Sequence, residues 1–122
     1  MSTASQKKIS AAPSRKLEVD DSLEHIFEYF DEAYANGWTD GLPVYPPTTA
    51  RVDAMLRYTD RARDDVVGII PPRNGAATVE KIAINAAMAG CRPEYMPVLI
   101  AAIEAMVEPK YNLYGRQTTT HP

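Results

Sequence analysis

Four side chains in this sequence have the chemistry to take part in a reaction: Asp40, Lys81, Cys91 and His121. His121 follows a run of threonines, Thr118 to Thr120. A neutral imidazole there can bind a metal ion or move a proton near neutral pH, so His121 is a candidate general base and the candidate metal ligand. The competing reading is a solvated histidine on a frayed terminus. Asp40 sits in Gly37-Trp38-Thr39-Asp40-Gly41-Leu42-Pro43-Val44-Tyr45-Pro46-Pro47. The glycines and prolines of this stretch forbid a helix and fix an extended, turning path. Such a loop can present a catalytic carboxylate, and it can equally be a connector anchored by Trp38. Lys81 and Asn85 share a face at i,i+4 of a helical pattern. Facing solvent they are an ordinary polar pair; beneath a partner chain they would set a cation and an amide in a cleft. Cys91 follows a helix C-terminus, where the dipole opposes a thiolate. That favours a buried, inert thiol, against which Arg92 and nearby helix amides could act. His25 reads as a flank residue of its helix. No His/Cys cluster has zinc spacing, and there is no phosphate loop or nucleophile elbow. The residues therefore name no reaction and no cofactor beyond a metal ion at His121.

These residues depend on four helices and a strand to position them. Asp21 and Glu24 form a capping box for the first helix. Leu23, Ile26, Phe27, Phe30 and Tyr34 give it an apolar stripe, and Gly37 ends it. Its other face carries Glu24, Glu28, Asp31 and Glu32, a solvated surface or a docking face for a basic partner. Thr48 or Thr49 caps a second helix through Val52, Met55 and Leu56. Val66-Val67-Gly68-Ile69-Ile70, closed by Pro71-Pro72, reads as a buried strand. A lone strand needs a neighbour, supplied by Val44-Tyr45 or by another chain. Asn74-Gly75 marks a turn. A third helix runs from about Thr78 to Ala89, with Val79, Ile82, Ala83 and Ala86 inward and Gly90 as its stop. Pro97 lies too deep for a helix begun at Pro93, so an irregular turn should precede a fourth helix that is regular from about Met96. The short link makes these last two helices an antiparallel hairpin. Helix four, Val98 to Val107, carries one charge, Glu104, and its pattern predicts burial all round. The tail from Tyr111 alternates like an extended segment that would cross an interface and bring His121 to a shared site.

The expected fold is therefore α+β, mainly helical, with one or two short strands and a helical hairpin in the C-terminal half, completed by a partner chain. At 122 residues and 13.5 kDa there is room for one small domain. We place it at 20–122, after a disordered or partner-draped arm at 1–19. Thirteen Lys and Arg against sixteen Asp and Glu give a net charge of −3 and a pI near 5.3. That balance argues against duplex nucleic acid as a partner. The single cysteine excludes an internal disulfide framework. No apolar run approaches the roughly 20 residues of a membrane span. The first residues lack a signal-peptide core, so the expected location is cytoplasmic.

Three stretches carry a family resemblance. The first is Gly37 to Val44 with Pro46-Pro47-Thr48 and Arg51-Val52. The second is Ala77 to Ala86 followed by Met88-Ala89-Gly90-Cys91-Arg92-Pro93-Glu94-Tyr95. The third is Asn112-Leu113-Tyr114-Gly115, Gln117 and Thr119-Thr120-His121-Pro122. Together, over about residues 37–122, they resemble a region of the bacterial UGSC (seleno)protein family and its unfused relatives. Longer relatives continue past the His-Pro. Some are joined to a domain with a selenocysteine- or cysteine-Gly-Ser-Cys motif, which implies thiol or selenol redox chemistry in that domain. This sequence lacks the motif. The resemblance thus implies a subunit or part of a larger assembly. The resulting expectation is the small subunit of a hetero-oligomeric bacterial enzyme, redox or lyase-like, bound to a larger protein subunit and acting on a small molecule. The rival is a non-catalytic scaffold or regulatory subunit clamping a catalytic chain. A third reading is a homodimeric binding module.

Overall fold

Short polar side chains start two of the central helices, as the sequence predicts. In the computed structural model, which describes residues 23–119, Thr48 and Thr78 are N-caps whose hydroxyls accept from the backbone N–H of Arg51 and Lys81. Each satisfies one of the orphan donors of a first helical turn. The fold is α+β and mainly helical. Its α-helices are α1 (Leu23–Ala35), α2 (Thr49–Leu56), α3 (Val79–Met88), α4 (Met96–Val107) and α5 (Leu113–Gln117). Strands β1 (Val66–Ile70) and β2 (Gly75–Thr78) form an antiparallel pair. Its register runs from Val66 opposite Thr78 to Ile70 opposite Gly75, with an irregularity between Val66 and Gly68. The capping residue Asp21, the arm 1–19 and His121 lie outside the described residues.

The neighbour of β1 is β2, not Val44-Tyr45. Asn74 takes a positive φ of 54° and turns the chain back on itself. Asn tolerates that region because its short polar side chain bonds locally. Tyr45 instead donates its N–H to the carbonyl of Met88, at the C-terminal end of α3.

The core is one cluster of Val52 and Met55 from α2, Val79, Ile82, Ala83, Ala86 and Ala87 from α3, and Met96 and Ile100 from α4. α4 lies close on β1. A Cβ at Gly68 would stand 2.8 Å from the Val107 methyls, so only glycine admits this approach. A 3-10 turn, Pro93–Tyr95, precedes α4 and resolves the problem posed by Pro97.

Three sequence expectations are corrected. α1 buries Tyr29 and Ala33, whereas Phe27 and Tyr34 of its predicted stripe stand exposed. α4 is not buried all round: Val98, Ala101, Ala102 and Ala105 face outward. Over its described residues the tail is helical, not extended. Asn112, at φ 54°, caps α5 by accepting from the N–H of Gly115, and Gln117 donates to the carbonyl of Pro71. A local cap outweighs the extended preference of the threonines, of which Thr118 and Thr119 turn their hydroxyls back onto the carbonyls of Gly115 and Arg116.

Candidate functional site

The C-terminal end of α3 builds a site where apolar surface and chemically useful side chains converge. Gly90, at φ +79°, lets the helix close in a Schellman motif. Gly90 donates to the carbonyl of Ala87, and Cys91 donates to that of Ala86. This pair of bonds sets Cys91 at a fixed point just past the helix. A Cβ at Gly90 would meet the Tyr45 ring at 2.9 Å. Glycine is therefore required there twice, for its backbone and for the ring against it.

Tyr45 is held on several sides. Its N–H bonds Met88, and its carbonyl accepts from the Tyr29 hydroxyl at 3.3 Å. Burial pushes the Tyr29 phenol above its usual pKa, so it stays a neutral donor. Arg51, in the first turn of α2, lays its guanidinium over the Tyr45 ring at 5.1 Å from the centroid. Between these parts lies a cleft of about 460 Å³. Tyr45, Arg51, Ala54, Ala87, Cys91 and Pro93 are among its lining residues. Such a volume falls in the range of small-molecule sites. Arg92 also borders the cleft, but its guanidinium pairs with Glu94 at 3.2 Å.

The candidates from sequence are dispersed. Asp40 is exposed in a turn after α1, where its carboxylate accepts from the N–H of Leu42. Lys81 is half-buried on α3, one turn from Asn85, whose amide donates to the Lys81 carbonyl. Among the described residues no hydrogen bond or ion pair joins Asp40 to Lys81. Neither of them lines the cleft. His121 lies outside the described residues. His25 faces Glu28 on the same helix at 3.7 Å. Cys91, read from the sequence as either a buried, inert thiol or a reactive one, is half-buried: it packs against the core and lines the cleft. Among the described residues no group of three His, Cys, Asp or Glu gathers to hold a metal ion, and no helix is long and apolar enough to cross a membrane.

Tyr45 and Arg51 were not singled out by residue type. Their signals are indirect: Pro46-Pro47 and the Thr48 cap fix how the Tyr45 segment enters α2, whose first turn carries Arg51 over that ring. Comparison with family models, curated proteins and solved structures gives no match.

Proposed function

We propose that this chain is the small subunit of a hetero-oligomeric bacterial enzyme, redox or lyase-like, that acts on a small molecule, and that it joins its larger partner through the outward side of α4. One observation carries the reading. Val98, Ala101, Ala102 and Ala105 recur at i, i+3, i+4 and i+7, so they share one face of α4, and all are exposed. A free helix normally turns charge to water on such a face. Here the single charge of the helix, Glu104, is drawn aside into a pair with Arg61. Val98 retains 70% of its accessible surface. Small side chains flanking one larger one suit close packing by a second helix. The resemblance to the UGSC family supports the same reading, because it implies a longer assembly of which this region is one part.

The test is co-purification of the full chain with the product of the adjacent gene, followed by mass and metal analysis. A stable complex of defined stoichiometry is expected. Val98→Asp should abolish it while leaving the melting of the chain alone nearly unchanged. A Val98→Asp variant that still forms the complex, or a wild-type chain that stays monomeric beside the neighbouring product, overturns the proposal. A self-associated dimer that ignores the neighbour supports the homodimeric module instead.

The scaffold reading is favoured by a separate observation. Asp40 is engaged in its own turn, and among the described residues no hydrogen bond or ion pair joins it to Lys81. Asp40→Asn and Lys81→Met in the reconstituted complex separate the two readings. Loss of turnover at intact assembly places chemistry in this chain, and unchanged turnover from both leaves it the role of scaffold.

A further inference from the structure

The geometry points to a binding site for a small organic anion, a carboxylate on an apolar body, in the cleft between Tyr45, α2 and the turn after α3, with Arg51 as its charge partner. The inference is independent of docking through α4 and concerns a different face of chemistry: what this chain itself can hold.

The charge pattern around the cleft is the first support. Its lining includes Arg51 and Arg92 and no carboxylate. Arg92 is already paired with Glu94. Arg51 has no acidic partner among the described residues, and its guanidinium lies over the face of Tyr45. The acid nearest to it in sequence, Asp53, is taken by Arg63 at 2.8 Å. Elsewhere the arginines near acids are engaged, Arg61 with Asp65 and Glu104, and Arg63 with Asp53 and Glu80. Arg57, Arg73 and Arg116 also stand outside the ion pairs of the described residues, so Arg51 is distinguished by its place in the lining of the cleft. Its planar fork of donors matches a carboxylate.

The shape is the second support. Ala54, Met55, Ala87 and Pro93 give the cleft a mostly apolar lining. A bare inorganic anion would use Arg51 and leave that apolar surface wet. A ligand with a short hydrocarbon or aromatic body uses both. The walls are preformed, because Tyr45 is fixed by Met88 and Tyr29 and Cys91 by the Schellman turn. Preorganised walls reduce the ordering cost of binding.

Cys91 makes the site measurable, since it is the one cysteine of the chain and borders the cleft. The full chain, in the assembly state in which it purifies, is treated with N-ethylmaleimide in the presence of hexanoate, hexan-1-ol or inorganic phosphate. Melting is followed in parallel. Hexanoate at about ten times its Kd should slow labelling of Cys91 about tenfold and raise the melting temperature. Hexan-1-ol and phosphate should do neither at the same concentration. Arg51→Gln, at an exposed position, should weaken protection by hexanoate about tenfold or more, measured against that variant's own labelling rate without ligand. Ala54→Leu puts a larger side chain into the lining and should abolish protection with Arg51 still in place. Equal protection by hexan-1-ol or by phosphate overturns the proposal. So does hexanoate protection that survives Arg51→Gln, or a Cys91 that the reagent never reaches.

Discussion

α3 and α4 are neighbours in sequence and both supply the core, yet they are covered very differently. α3 carries Glu80, Lys81 and Asn85 and still buries Val79, Ile82, Ala83, Ala86 and Ala87. α4 has Glu104 as its one charge and buries only Met96 and Ile100. The difference lies in what surrounds each helix. α3 is packed by α2 and α4, follows directly from β2, and is closed at its C-terminal end by Tyr45. α4 rests on β1 and α3, and among the described residues nothing covers its Val98 side, where Val98 is 70% exposed. Apolar content sets how much cover a helix can use. Topology sets how much it receives, and the shortfall on α4 is a surface.

The largest effect that would break this comparison comes from exchanging one residue on each side of α4. Met96 is fully buried and Val98 is 70% exposed, two positions apart on one helix. Met96→Ala should cost about 2–5 kcal/mol of stability through lost burial and the cavity left behind. Val98→Ala should stay within about 0.5 kcal/mol in the absence of a partner. Urea denaturation of both variants measures the pair. Similar costs at the two positions would mean that the chain does cover α4 all round.

A smaller effect sharpens the account of how α3 ends. Gly90→Ala forces a side chain into φ +79° and against the Tyr45 ring. A loss of about 1–3 kcal/mol is expected from backbone strain, with Tyr45 displaced. Gly75→Ala, where an added Cβ meets nothing within 4 Å, is the control and should shift stability by about 0.5 kcal/mol or less. Equal behaviour of the two variants would remove the Schellman turn from the positioning of Cys91.

What the sequence made legible follows the same division between local and distant causes. Thr48, Thr78, Gly90 and the conflict between Pro93 and Pro97 act within a turn of themselves, and each marks its element boundary correctly. β2 reads Gly-Ala-Ala-Thr and has almost no strand signature; only its pairing with the β-branched run of β1 makes it a strand. The inward face of α1 depends on Tyr45, sixteen residues from Tyr29, so the more apolar Phe27 misleads. The cleft was illegible for the same reason. Tyr45, Arg51 and Cys91 come from three separate segments, and none has an unusual local pattern. Asp40 and Lys81 do stand out locally, and the fold leaves them apart.

The smallest expected effect tests the outermost layer that covers α3. α1 reaches the core region through Tyr29, which is 4% exposed and donates its hydroxyl to the carbonyl of Tyr45. At 3.3 Å the bond is long, so Tyr29→Phe should cost about 1 kcal/mol or less at pH 7. The pH dependence separates this bond from mere packing. Burial raises the phenol pKa above its ordinary value of 10.0 in the folded protein. Below that value folded and unfolded chains both keep the proton, and Tyr29 adds no slope. Above it the unfolded chain releases the proton first, so it binds fewer protons than the native state and stability falls as pH rises through the folded value. The wild type should therefore lose stability above about pH 10 more steeply than Tyr29→Phe, in which the remaining tyrosines still titrate. The two denaturation curves should converge as the phenol ionises. A phenylalanine variant with wild-type stability at pH 7 and an unchanged alkaline slope would show that Tyr45 stands against α3 without help from α1.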